Sequence, residues 1–218
     1  MQAYTVPGRL RHRMVLDVLE HLKTEDDTLT FRRSCREGVC GSDGMNINGV
    51  NRLACTTRAH DMLSRSRDLV VRPLTGMPVI RDLVVDLSQF QDNLERVRPW
   101  LINHQPAPAI ERLQTPEERA RLDGLYECIL CACCTSGCPS WWWQPKRFVG
   151  PAGLLWAARF LDDSRDTATD QRLALLGGDP YSVFRCRNIQ NCTYVCPKGL
   201  NPMAAIESIR LRLARQST

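Results

Sequence analysis

The sequence predicts an α+β chain in two parts, a small mixed N-terminal half and a mainly helical C-terminal half, each built around cysteine-bearing loops. Three observations carry this expectation. The eleven cysteines among 218 residues fall into two blocks, 35–55 and 128–196, with none between them. The first half breaks into short apolar runs with a single strongly helical stretch. The second half carries helix-period apolar patterns separated by cysteine runs.

Taken in order, QAYTV (2–6) reads as a short strand. MVLDVLEHLKTE (14–25) places Met14, Val15, Val18, Leu19 and Leu22 on one helical face. GMNINGVNRLAC (44–55) alternates apolar residues around Asn48 and Gly49, which signals a hairpin. DLVVRPL (68–74) reads as a buried strand, and QFQDNLERVRPWL (89–101) as a helix leading to the proline-bearing connector HQPAPA. In TPEERARLDGLYEC, Thr115 is placed to cap a helix whose first residue is Pro116. Further helices are expected over 151–163, 166–176 and 202–215, the last opened by Asn201 and Pro202. The expected division is 1–95 for the first domain, 96–114 for a connector and 115–218 for the helical domain. The cysteine run is the only internal repeat.

Composition narrows the function. An odd number of cysteines grouped at spacings of two to four residues fits metal ligation better than a disulfide framework. Thiolates that hold metal favour a reducing compartment. MQAYTVPGRL lacks the apolar core of a secretory signal, and no apolar stretch follows the pair Arg32 and Arg33. No apolar run approaches the roughly 18 residues of a membrane helix. The best candidate, GPAGLLWAARFL, is short and carries Arg159. Membrane association is therefore expected to come through partners. The net charge of +5 is spread along the chain and gives no reason to invoke nucleic acid.

Three constellations carry the chemistry. Cys35-x4-Cys40-x2-Asp43, followed by Cys55, follows the plant-type [2Fe–2S] ferredoxin spacing with aspartate in the third ligand position. A carboxylate is a harder ligand than a thiolate and shifts the potential of what it holds. Gly38, Gly41 and Gly44 are expected to curl the loop so that amides approach the sulfurs. The competing readings are a lost site with Asp43 merely solvated, or structural zinc, which the four-residue spacing disfavours.

The second run, Cys128-x2-Cys131-x2-Cys134-x3-Cys138-Pro139, matches the bacterial ferredoxin pattern in full, with Cys133 outside the register as a buried non-ligand. The third run repeats it at Cys186, Cys192, Cys196 and Pro197, but Ile189 occupies the second cysteine position. In two-cluster ferredoxins the fourth cysteine of each run serves the other cluster. That rule gives Cys128, Cys131, Cys134 and Cys196 to one cluster, a [4Fe–4S]. It gives Cys138, Cys186 and Cys192 to the other. With three thiolates and Ile189 over the fourth corner, that cluster is expected to be [3Fe–4S]. The whole then reads as an N-terminal plant-type [2Fe–2S] ferredoxin (β-grasp) domain followed by a bacterial-ferredoxin-like dicluster domain.

With all three runs in this order, the chain resembles the iron–sulfur subunit of succinate dehydrogenase, the succinate:quinone oxidoreductase of respiratory complex II. The resemblance spans nearly the whole length. It is carried by TLTFRRSCREGVCGSDGMNINGVNRLAC, RPLTGMPVIRDLVVD, LDGLYECILCACCTSGCPSWWW, FVGPAGLL, DSRDT, VFRC and NCTYVCPKGLNP. Some bacterial members also carry aspartate at the third [2Fe–2S] position. The resemblance implies an electron conduit of the tricarboxylic acid cycle and aerobic respiration. Electrons would pass from a FAD-containing flavoprotein through [2Fe–2S], [4Fe–4S] and [3Fe–4S] to ubiquinone. It implies two small membrane-anchor subunits, of a kind able to carry haem b, and a peripheral position on the cytoplasmic face of the bacterial inner membrane. The dicarboxylate site would lie on the flavoprotein, leaving no catalytic residue in this chain.

The same resemblance assigns quinone contact to the stretch after Cys138. Trp143 would donate to the quinone carbonyl, with Pro139, Ser140, Trp142 and Ile189 lining the same place. Three consecutive tryptophans cannot all face one core, so part of this stretch is expected at an interface. Family members commonly carry histidine directly after the first cysteine of the last run. Here it is Arg187, which stays charged and cannot shuttle protons as histidine does. Family chains also open with a further strand, so this sequence is expected to lack the first strand of its [2Fe–2S] domain. The iron–sulfur subunit of fumarate reductase is the alternative, since it shares cluster types and architecture. A free-standing soluble ferredoxin is less compatible with the tryptophan-rich patch.

Overall fold

The computed structural model describes residues 1–64, 66–178 and 182–216. After a 3-10 turn at Gly8–His12, α1 spans Val15–Glu25 and buries Val15, Leu16, Val18, Leu19 and Leu22. Met14 lies just before the helix, bridged to Arg58, so Leu16 takes its expected place on the buried face.

Strands β1 (Gly44–Ile47) and β2 (Val50–Leu53) pair antiparallel about the Asn48–Gly49 turn, where both residues have positive φ, as the hairpin signal predicts. After the short helix α2 (Ala59–Leu63), β3 (Val71–Arg72) completes a three-stranded sheet of order β2-β1-β3. The expected strand over 68–74 thus shrinks to two residues. Asn48 takes the pairing that would extend it, accepting from the Val70 amide at 2.7 Å, and Pro73 has no N–H to continue the ladder. The pair β4 (Val79–Arg81) and β5 (Val84–Val85) follows, then α3 (Ser88–Arg96).

Two expectations fail here. Residues 2–6 form no strand; Tyr4 instead ties this segment to Asp26 through its hydroxyl at 2.7 Å. The helix expected over 89–101 stops at Arg96, because Arg98 turns to φ +50° ahead of Pro99, where helical backbone is disfavoured.

In the second half, α4 (Pro116–Ala120) has the predicted cap. The Glu118 amide donates to Thr115 Oγ1 and the Thr115 amide to Glu118, a reciprocal capping box. Helices α5 (Cys133–Ser136), α6 (Pro139–Trp143), α7 (Pro151–Asp162), α8 (Thr169–Gly177), α9 (Asn191–Tyr194) and α10 (Pro202–Gln216) complete the chain. The amphipathic α10 packs along the almost wholly buried α7, which forms the centre of the helical half. Helix α8 begins three residues later than expected. Asp166 is committed elsewhere, accepting from the Ala168 amide and gripping Arg172.

That grip ties down the connector. Arg172 donates to both Asp166 oxygens and to the carbonyls of Val97, Arg98 and Trp100 at 2.7–3.0 Å. The Ile102 amide donates back to Asp166 at 2.9 Å. Every donor of this buried guanidinium has a partner, which is what allows its charge to be buried.

The halves also meet through polar contacts. Asn51 on β2 donates to the Cys133 carbonyl and to Ser136 Oγ, both at 3.1 Å.

Candidate metal centres

The loop between α1 and β1 wraps its own cysteines. Arg36, Gly38 and Gly41 have φ of +66°, +72° and +67°, and the curl turns amides inward. Cys35 Sγ accepts from the amides of Cys40 at 3.2 Å and of Glu37 and Val39 at 3.4 Å. These donors, the Glu37 amide foremost, lower the Cys35 thiol to about 7. Gly44 does not help the curl as expected, since its φ is not positive. It permits close approach instead: a Cβ there would lie 2.9 Å from the Cys131 carbonyl. Gly41 likewise abuts Cys131, where a Cβ would meet the Cys131 Cβ at 2.8 Å.

Asp43 is buried rather than solvated. Its Oδ2 accepts from the Cys55 amide at 2.6 Å, while Oδ1 is buried without a hydrogen-bond partner. Burial first, and then the adjoining Asp43 carboxylate, push the Cys55 thiol up to about 12. Inward amides and an orphaned carboxylate oxygen suit a positively charged metal centre bearing negative sulfur.

In the helical half, the cysteines line two separate cavities. One is walled by Cys128, Cys131, Cys134 and Cys196, the last drawn from the distant run. The other is walled by Cys138, Cys186 and Cys192, with Pro139, Ser140, Arg187 and Ile189 beside them. Burial raises the thiols of Cys128, Cys134 and Cys138, and pushes Cys192 to about 11 with Cys138 the next cause. Such thiols ionise only when positive charge is bound beside them, as in a coordinating thiolate. Among the described residues no three His, Cys, Asp or Glu side chains converge on a single ion. The thiols surround two spaces, each lined by cysteines from both runs. Cys133 is fully buried.

The two runs repeat in backbone as well as in letters. Leu130 and Ala132, which flank Cys131, have φ of +54° and +63°. Asn188 and Gln190, which flank Ile189, have φ of +57° and +67°. Ile189 therefore occupies the backbone station that Cys131 holds in the other run, with a side chain that cannot ligate. The Asn188 amide points to Cys186 Sγ at 3.5 Å, and Met203 lies 3.9 Å from the same sulfur.

The three tryptophans divide as their crowding requires. Trp141 is buried, whereas Trp142 and Trp143 are 41% and 66% exposed. Trp142 Nε1 donates to the Ser136 carbonyl at 2.6 Å. Sequence reasoning missed Asn51, Ser136, Gly76 and Met203 around these sites. A buried asparagine within a hairpin was the one local signal.

Comparison with known proteins finds matches for both halves of the chain. Residues 1–92 match the 2Fe-2S iron-sulfur cluster binding domain family, and residues 124–200 the 4Fe-4S dicluster domain family. Fold and sites thus define an iron–sulfur protein of the two-domain, electron-transferring class. The succinate dehydrogenase iron-sulfur subunit of Coxiella burnetii is 57% identical over 208 residues, covering 95% of this chain and 87% of that protein. The mitochondrial succinate dehydrogenase [ubiquinone] iron-sulfur subunit 1 of Oryza sativa is 52% identical, over 90% of this chain and 70% of the relative. Subunit 3 of Arabidopsis thaliana is 51% identical, and the match spans 62% of its length. A chain of the Mycobacterium smegmatis Sdh1 complex in the apo form superposes with a TM-score of 0.81 at 29% identity, covering 94% of this chain and 85% of that one. The chain belongs to the succinate dehydrogenase iron-sulfur subunit family. Among the described residues, no helix is long and apolar enough to cross a membrane.

Proposed function

We propose that this chain relays electrons singly from the FADH2 of a flavoprotein partner to ubiquinone, where it meets two membrane-anchor subunits on the cytoplasmic face of the inner membrane. Cys35, Cys40, Asp43 and Cys55 would hold [2Fe–2S]; Cys128, Cys131, Cys134 and Cys196 [4Fe–4S]; and Cys138, Cys186 and Cys192 [3Fe–4S]. Bound there, the clusters supply the one-electron steps between a two-electron donor and a two-electron acceptor. The balance is succinate to fumarate, releasing two electrons and two protons, and quinone taking up two of each to give quinol.

The protein's own contribution is position and charge. Amides aimed at Cys35 stabilise negative sulfur, and the glycine contacts bring the first loop against Cys131. Trp143, Trp142, Pro139, Ser140, Ile189 and Arg187 would form the quinone face beside the three-thiol cavity. We take 1–95 and 115–218 as the two domains, with 96–114 between them. The pause between α3 and α4 supports that division.

The observation that carries this reading is the sharing of cysteines. Cys196 walls the cavity of the other run, and Cys138 walls that of Cys186 and Cys192. Redox-poised EPR of the membrane complex tests it. Three distinct centres are expected, one of them paramagnetic when oxidised. A second cubane in place of that centre would overturn the assignment.

A further inference from the structure

The stretch RPLTGMP lies in the N-terminal half, yet it reaches the tryptophans after Cys138. Gly76 has φ +73°, and a Cβ there would lie 2.2 Å from Trp142 Cδ1 and 2.7 Å from Nε1. From another direction the indole N–H is fixed to the Ser136 carbonyl at 2.6 Å. Ser136 is itself tied to the neighbour of Gly76. Thr75 Oγ1 donates to the Ser136 carbonyl at 3.0 Å, and Ser136 Oγ donates to the Thr75 carbonyl at 2.7 Å. The pyrrole edge of Trp142 is therefore held between a glycine of one half and a serine of the other. Indole has a single donor, and here it is already used. Trp142 can therefore offer a quinone a wall but no hydrogen bond.

We propose that Gly76 is a positioning residue for the quinone face, its missing side chain setting where the Trp142 ring stands. This rests on the quinone reading above. Any side chain at 76 must displace the ring or the loop, because the close atoms belong to a rigid indole already anchored to Ser136. A headgroup lying against that ring would lose its alignment.

The test uses the assembled membrane complex carrying Gly76→Ala. Misplacing one wall of a site by about 1 Å can cost up to about a hundredfold; here the expected change is a rise of roughly tenfold in KM for a short-chain ubiquinone. Succinate oxidation with a soluble phenazine dye and the EPR of all three centres should stay as in the wild type. Wild-type quinone kinetics in an assembled variant would overturn the proposal, as would quinone and dye activities falling in parallel. Thr75→Val removes one hydroxyl from the Ser136 carbonyl without adding bulk against the ring. It should give the same split at smaller amplitude, and it carries the test if Gly76→Ala does not assemble; an unchanged quinone KM there would likewise overturn it. If the unaltered complex reduces no quinone, the quinone reading itself fails. If it does and both variants behave as wild type, only the role of Gly76 fails.

Discussion

Asp43 receives the Cys55 amide at 2.6 Å through one carboxylate oxygen, while its other oxygen is buried with no partner. A buried acceptor left unmatched costs about 1–3 kcal/mol unless something else satisfies it. Iron would do so. Asp43→Ala is therefore expected to abolish the [2Fe–2S] EPR signal of the purified complex, and Asp43→Cys to preserve it at a shifted potential. A [2Fe–2S] signal surviving in the alanine variant would exclude Asp43 as a ligand.

Ile189 stands between two left-handed residues, at the backbone station that Cys131 holds in the other run. Supplying the thiolate should therefore need no rebuilding of the loop. Ile189→Cys is expected to convert the centre walled by Cys138, Cys186 and Cys192 towards [4Fe–4S], with loss of the signal seen in the oxidised state. An unchanged signal would show that cavity shape, not this one residue, fixes the iron count.

Arg187 borders the same cavity, where a guanidinium supplies fixed donors rather than the proton exchange of an imidazole. Arg187→His should leave all three EPR signals in place and give quinone reduction a new pH dependence near the ordinary histidine value of about 6.5. The check is the pH profile of quinone reductase activity. A flat difference from wild type, or a missing oxidised-state signal, would count against this role.

The Arg172–Asp166 pair is buried, with side chains 3% and 0% exposed. Arg172→Met would strand the Asp166 charge and release the Val97, Arg98 and Trp100 carbonyls. Breaking such a pair typically costs about 3–5 kcal/mol. A clear drop in the thermal midpoint of the complex is expected, partly recovered when Asp166→Leu is added. Equal midpoints for wild type and the single variant would refute the clasp.

What the letters disclosed depended on the range of the interaction behind them. Cysteine spacing is local, so both runs and the Ile189 substitution could be read directly, whereas the grouping of Cys138 and Cys196 needed the crossover rule of two-cluster ferredoxins. Caps and turns are local too, and Thr115, Pro116 and the Asn48–Gly49 turn stand as read. One misreading was local, the helix over 89–101, which its own Arg98–Pro99 step ends early; the others lie where distant partners compete. Asn48 cuts short the strand over 68–74, and Asp166 delays α8 in order to hold Arg172. Residues 2–6 have the composition of a strand but pair with none; Tyr4 binds Asp26 instead. Gly76 carried no signal of its contact, because the ring it accommodates is 66 positions away in sequence.

The exchange of Cys138 and Cys196 between cavities also governs how the molecule can be made. The first half holds all four of its candidate ligands within residues 35–55, so it can be completed as soon as that stretch and its sheet have left the ribosome. The second half has no such early stage. Its first cavity lacks a wall until Cys196 has been synthesised, and Cys138 waits for Cys186 and Cys192. On the proposed ligand sets, metal delivery to these two centres waits for the last run, and a nascent chain stopped before Cys196 would leave the first of them without its fourth wall.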